Sequence, residues 1–179
     1  IFLLDGTTLD LAHFWQKIFA AQQNIFHACS EDIDLIYHYA DKQPLVNVFD
    51  TQVALSFLGH GLQVSYQNAL KLILNIDIDK DQTRSDWLAR PLSAAQIEYA
   101  ANDVLYLMQL ADKLKAELEA KNLYAYMLED CQHLTQEIAL ETPQEKLYTD
   151  VGNYRHSRKQ LMQLQQLSVW REEMVKAVN

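Results

Sequence analysis

Twice within the first 60 residues a short apolar run stops at a helix-capping residue and gives way to apolar spacing of helical period. Ile25-Phe-His-Ala-Cys29 is followed by Ser30 and a helical stretch from Glu31 to about Ala40. Leu45-Val-Asn-Val-Phe49 is followed by Asp50 and a helical stretch to about Leu58, which Gly59-His-Gly61 terminates. Runs this short and apolar read as buried strands, and Ser or Asp side chains accept hydrogen bonds from the free amides of a first helical turn. The alternation predicts an α/β class. Ahead of it, Ile1-Phe-Leu-Leu4 and Thr7-Thr-Leu9 around Asp5-Gly6 predict a hairpin with a type I′ turn. Asp10 then caps a helix carrying Leu11, Phe14, Trp15, Ile18 and Phe19.

Helices dominate the rest. Ser65 opens one that runs to about Asn75, and the polar stretch from Asp77 to Pro91 reads as a long loop of the kind that is often functional. Ser93 and Gln96 form a capping box for the longest predicted helix, 93–121, whose apolar face carries Ile97, Ala100, Val104, Leu107, Met108, Ala111 and Leu114. A helix from about Leu123 to Leu140 follows, Thr142-Pro143 breaks the chain, and the remainder to Asn179 is helical. Charge divides at the same place, with net −11 over residues 1–143 and net +2 over 144–179. Two organisational units are expected, 1–141 and a helical extension 142–179.

The overall charge of −9 argues against a chain that grips nucleic acid mainly through a basic surface, which needs clustered Lys and Arg. Cys29 and Cys131 have no C-x-x-C partner and read as buried free thiols, which points to a reducing compartment and a cytoplasmic protein. No stretch approaches 18 uninterrupted apolar residues, so no membrane partner is expected. Phosphate-loop, dinucleotide, zinc-protease and serine-hydrolase signatures are all absent. Asp77, Asp79 and Asp81 imitate the start of a calcium loop, yet Gln82 stands where the tight-turn Gly belongs and Leu88 where the bidentate Glu belongs. The six histidines are scattered, which leaves carboxylates as the side chains able to hold hard cations.

Four side chains stand out. Asp103 lies one helical turn after Tyr99, so phenol and carboxylate share a helix face. Taken alone, that spacing equally describes a half-buried Tyr beside an exposed Asp. Asp32 falls in the first turn of the helix after Ser30, where the helix dipole favours an anion in any case. Asp50 reads as an N-cap, a role that asparagine fills about as well.

The run Asp79-Lys-Asp-Gln-Thr-Arg-Ser-Asp-Trp-Leu-Ala-Arg-Pro-Leu-Ser-Ala-Ala-Gln-Ile-Glu-Tyr-Ala-Ala-Asn-Asp-Val-Leu-Tyr-Leu107 resembles the third exonuclease motif of the ribonuclease D family and its preceding loop. His27-Ala-Cys-Ser-Glu-Asp32 is similar to the second motif, and Asp50-Thr-Gln-Val-Ala54 to the helix start after it. The resemblance covers residues 1 to about 140. These are DEDD exonucleases, and Tyr99-x-x-x-Asp103 places the chain in the Tyr branch, because Glu98 stands where the other branch needs histidine.

The resemblance implies a ribonuclease H-like mixed sheet flanked by helices, with the N-terminal strand missing, and two divalent ions, Mg²⁺ or Mn²⁺. Asp103 would bind one ion directly, Asp32 would support the second, and Tyr99 would orient the attacking water. Lys80, Arg84 and Arg90 are candidates to hold the substrate backbone. The implied activity is 3′→5′ trimming of single-stranded RNA 3′ ends, tRNA precursors among them. The Asp-x-Glu of the first motif is not in the sequence, so the chain as given is expected to lack two metal ligands and to be inactive alone. A further strand with an Asp-Pro loop is implied between Leu9 and Asp10, so residues missing between positions 8 and 11 are expected. Beyond residue 143, Leu161, Leu164, Leu167, Trp170 and Arg171 resemble the opening helices of an HRDC-like nucleic-acid-binding module, or equally an amphipathic helix packed on the main domain. The competing reading is a catalytically inactive nucleic-acid-binding or scaffold member, against which the joint presence of Tyr99, Asp103 and Asp32 counts.

Overall fold

The computed structural model describes residues 1–78, 85–140, 143–149, 151–153 and 155–178. The chain forms two compact units, Ile1–Ala139 and Leu140–Asn179.

In the first unit the two apolar runs are strands, β1 (Asn24–Phe26) and β2 (Val48–Asp50), paired in parallel with Ile25 opposite Phe49 and Phe26 opposite Asp50. β1 reaches α2 (Ser30–Tyr39) through residues 27–29, β2 leads directly into α3 (Thr51–Phe57), and α1 (Ala12–Phe19) precedes β1. Asp50 caps α3 by accepting the Gln52 N–H at 2.7 Å. Gly59 and Gly61, at φ +86° and +117°, let the chain leave α3 through conformations that a side chain would strain. Helix α4 (Tyr66–Leu74) begins at the Ser65 cap and ends on Asn75 in the left-handed conformation. Among the described residues no helix is long and apolar enough to cross a membrane.

The predicted helix 93–121 is two helices, α5 (Ala94–Leu105) and α6 (Leu107–Ala120), separated at Tyr106 with φ −106° and ψ 1°. Packing explains the break. Leu110, Ala111, Leu114 and Leu118 of α6 are fully or almost fully buried in the core, whereas Ile97, Val104 and Met108 of the same predicted face are 45%, 46% and 60% exposed. Helix α6 packs on β1, α3, α4 and on α7 (Tyr124–Ala139), and α7 in turn packs on α2 and β2. The core between them comprises Ile33, Ile36, Leu45, Phe49, Leu55, Leu70, Met127 and both cysteines, which are free thiols.

The predicted hairpin is not formed. Ile1–Leu4 is not strand, and neither Asp5 nor Gly6 takes the positive φ that a type I′ turn requires. The Asp5 carboxylate instead accepts the Thr7 amide and hydroxyl at 3.1 and 2.6 Å, and the Thr8 and Leu9 amides close on the Asp5 carbonyl. Leu11 rather than Asp10 is the cap residue of α1, although the Asp10 carboxylate accepts the Ala12 N–H at 2.9 Å, and no strand lies between Leu9 and α1. The described sheet is therefore a parallel pair.

The second unit contains a 3-10 helix, Gln144–Thr149, packed on α8 (Arg158–Val178). Gly152 permits the close turn between them: a Cβ there would meet the Tyr148 carbonyl at 2.8 Å.

Candidate metal and catalytic site

Because β1 and β2 are in parallel register, the residues that follow them, His27 and Thr51, emerge side by side. His27 Nδ1 lies 2.8 Å from Thr51 Oγ1, and Nε2 lies 2.9 Å from the Val64 carbonyl. A carbonyl only accepts, so Nε2 carries the proton. Burial holds the imidazole pKa below its usual value, partly opposed by the Asp50 charge and the Val64 carbonyl. The His27 ring also stands 5.5 Å from that of Tyr66.

Between β1 and α2 the chain passes through Ala28 at φ +60°. This neck is held by Asp50, a carboxylate only 2% exposed, which accepts the Ala28 amide at 3.0 Å and the Cys29 amide at 2.8 Å. The expected Ser30 cap is replaced by this arrangement: Cys29 is the cap residue of α2, without a side-chain hydrogen bond, and Ser30 is already helical. One turn on, Asp32 is exposed, yet loss of hydration raises its pKa, with Glu31 and Asp50 adding to the shift. The buried surroundings push the Cys131 thiol up to about 11 and raise Cys29 further.

The α5 side of the site is built from the loop before it. Ser93 and Gln96 make the expected capping box, and the buried Gln96 amide also donates to the Asp86 carbonyl at 2.9 Å and to Ser85 Oγ at 3.2 Å. This fixes Trp87 against Tyr99, which is half-buried, with ring centroids 5.9 Å apart. Asp103 follows one turn later, exposed but with its pKa raised by desolvation.

Tyr66 links the two sides. Its hydroxyl is buried without a hydrogen-bond partner among the described residues, and burial pushes its pKa up to about 12, with the Asp103 charge acting in the same direction. The Tyr106 amide comes near enough to offset part of that shift without reaching hydrogen-bond geometry. His27, at the end of β1, thus faces Tyr66, and Tyr66 in turn feels Asp103. Nothing in the sequence singles out Tyr66, Trp87 or the His27–Thr51 pair, because each acts through a partner distant along the chain.

Tyr99 and Asp103 share α5, while Asp32 stands on α2. Neither carboxylate has the other among the causes of its shift, and among the described residues no three His, Cys, Asp or Glu side chains form a metal-binding group. The donors present suit a hard cation all the same: two oxygen ligands whose charged forms are disfavoured by lost hydration. Of the substrate-binding candidates, Lys80 and Arg84 lie outside the described residues, as do Asp79, Asp81 and Gln82 of the acidic loop. Arg90 is committed to Asp5, donating from Nε and Nη2 at 2.7 and 2.8 Å, and from Nη1 to the Trp87 and Ala89 carbonyls. A phosphate would have to compete with that ion pair. A recess of about 720 Å³ between α1 and α2, lined by Leu11, Trp15, Phe19, Leu35 and Tyr39, contains none of Asp32, Tyr99 and Asp103.

Comparison with known proteins agrees with this architecture. The model of the 3′-5′ exonuclease family matches residues 3–119. Ribonuclease D of Shewanella sp. (strain ANA-3) is 38% identical over 177 residues, covering 96% of this chain and 45% of the relative. The crystal structure of Escherichia coli RNase D, an exoribonuclease involved in structured RNA processing, superposes with a TM-score of 0.78 at 28% identity, over 94% of this chain and 45% of that one. Brucella melitensis NrnC with bound Mg²⁺ matches with a TM-score of 0.61 at 26% identity, over 80% of this chain and 68% of that one. The chain spans less than half the length of the ribonucleases D it matches, and its fold is the ribonuclease H-like exonuclease fold with a helical extension. The chain belongs to the 3′-5′ exonuclease family, and the relatives it resembles are ribonucleases D.

Proposed function

We propose that this chain is the nuclease part of a cytoplasmic, divalent-metal-dependent 3′→5′ exoribonuclease that trims single-stranded RNA 3′ ends, tRNA precursors included. The observation that carries the reading is the placement of Tyr99 and Asp103 one turn apart on α5, with Asp103 and Asp32 both short of hydration. The Mg²⁺ bound by the similar NrnC supports a divalent-cation requirement.

Asp103 and Asp32 would hold the two ions, Mg²⁺ or Mn²⁺, together with an Asp-x-Glu pair. When bound, the ions would supply a water of lowered pKa and relief of the charge that builds on the departing 3′ oxygen. Tyr99, one turn before Asp103 on α5, would orient the water through its hydroxyl. Trp87 limits where that hydroxyl can point. Dications held by these carboxylates would also make a phosphate site, which answers the objection raised by the net charge. The 1–141 segment is the exonuclease domain on this reading, and 142–179 begins an HRDC-like module.

The test is Asp103→Asn in the full-length protein, assayed on single-stranded RNA with Mg²⁺ or Mn²⁺. Metal affinity and turnover should both collapse. Turnover near that of the wild type removes the basis for a metal-dependent nuclease.

A further inference from the structure

We infer that Asp50 is a positioning residue for Asp32, and that its helix-capping bond is the lesser part of what it does. The inference rests on the proposed function above, which makes Asp32 a metal ligand.

The Asp50 carboxylate joins two segments. Oδ1 accepts the Gln52 amide at 2.7 Å and the Ala28 amide at 3.0 Å, and Oδ2 accepts the Cys29 amide at 2.8 Å. A cap alone needs only the first of these. The other two hold the neck on which α2 is mounted, and that neck contains a non-glycine residue at φ +60°, a conformation that persists only where its surroundings enforce it. Asp32 lies three residues beyond the clamped Cys29 amide, in the first turn of α2, and Asp50 is close enough for its charge to act on Asp32. The aim of the Asp32 carboxylate is thus set by a carboxylate only 2% exposed, both of whose oxygens are engaged by backbone amides.

Asparagine is a discriminating replacement. It keeps one carbonyl oxygen for Gln52 and Ala28, so the cap survives, and places an NH₂ donor against the Cys29 N–H. A capping role predicts little effect. A positioning role predicts that Mn²⁺ binding, measured by calorimetry on the full-length protein, weakens by about 10–100-fold, the usual consequence of losing a group that orients a metal ligand. Residue-resolved amide exchange should show Cys29 opening faster while Leu114 in the core is unchanged. If Asp50 acts through Asp32, then adding Asp50→Asn to Asp32→Asn weakens Mn²⁺ binding by no more than about twofold further.

Wild-type Mn²⁺ affinity in Asp50→Asn with the Cys29 amide freed overturns the inference, and so does a full additional loss in the double variant. Should Asp50→Asn fail to fold, the wild-type protein decides. Coupling is reciprocal, so saturating Mg²⁺ must slow exchange at Ala28 and Cys29, and unchanged exchange there overturns the inference. A wild-type protein that binds neither ion refutes the proposed function together with this inference, whereas intact binding that is indifferent to Asp50 refutes the inference alone.

Discussion

Trp87 and Tyr99 stand with ring centroids 5.9 Å apart and planes at 51°, and the contact is anchored by Gln96, whose side chain ties the loop at Ser85 and Asp86 to the first turn of α5. The loop and the helix are therefore one local structure. Tyr99 is held from the side as well as by its own helix.

Replacement of Tyr99 by Phe keeps the ring against Trp87 and removes only the hydroxyl. On the proposed mechanism kcat should fall by ~10²–10⁴-fold, the usual loss for one positioned catalytic group, while Mn²⁺ and RNA affinities hold. Single-turnover assays beside metal titrations separate the two. Unchanged turnover means that the phenol has no part in placing the water.

For Tyr66 the expectation has the opposite sign. Its hydroxyl is buried without a hydrogen-bond partner among the described residues, so its removal takes no bond away from them. Tyr66→Phe should leave stability unchanged or raise it by about 1 kcal/mol. Urea denaturation measures this directly. A loss of stability would mean that the hydroxyl is bonded in solution, with Tyr106 and Asp103 the nearest candidates.

What the sequence made legible was local. Asp50 over Gln52 and Ser93 with Gln96 are contacts within three residues, and residue type and spacing predicted both. The parallel βα pair followed from two capped apolar runs. What escaped prediction spans distance: Arg90 reaches Asp5 across 85 residues, and Asp50 reaches Cys29 across 21. The break at Tyr106 has no Pro or Gly to mark it. It arises because the core accepts Leu110 and Leu114 but not Ile97 and Val104, which a continuous helical periodicity cannot reveal. Asp5-Gly6 misled for a related reason, since the Asp5 carboxylate is drawn to Thr7 and Arg90 and a different turn results.

That break yields a stability contrast between two residues of the same predicted face. Leu114 is fully buried and Val104 is 46% exposed. Leu114→Ala should cost about 2–5 kcal/mol through lost burial and the cavity left behind. Val104→Ala, outside the core, should stay within roughly ±0.5 kcal/mol. Equal losses in thermal denaturation would show α5 and α6 packing as one continuous helix.

His27 supplies the pH dependence. Burial lowers its folded pKa beneath the ordinary histidine value, whereas in the unfolded chain it titrates near 6.5. Between the two values the unfolded state binds more protons than the folded state, so stability rises with pH across that window. The contribution of the neutral, buried ring is complete above about 6.5 and is lost as pH falls toward the depressed folded value. Protonation would also convert Nδ1 into a donor toward Thr51 Oγ1, whose own hydroxyl already donates to the Phe26 carbonyl at 3.0 Å. That rearrangement keeps the partners of the charged ring, so burial, partly opposed by the Asp50 charge and the Val64 carbonyl, sets the cost. Urea midpoints measured from pH 7.5 down to 5 should fall for the wild type and fall less steeply for His27→Gln, which cannot titrate. Parallel profiles for the two proteins would mean that the acid sensitivity arises elsewhere and that His27 keeps an ordinary pKa in the fold.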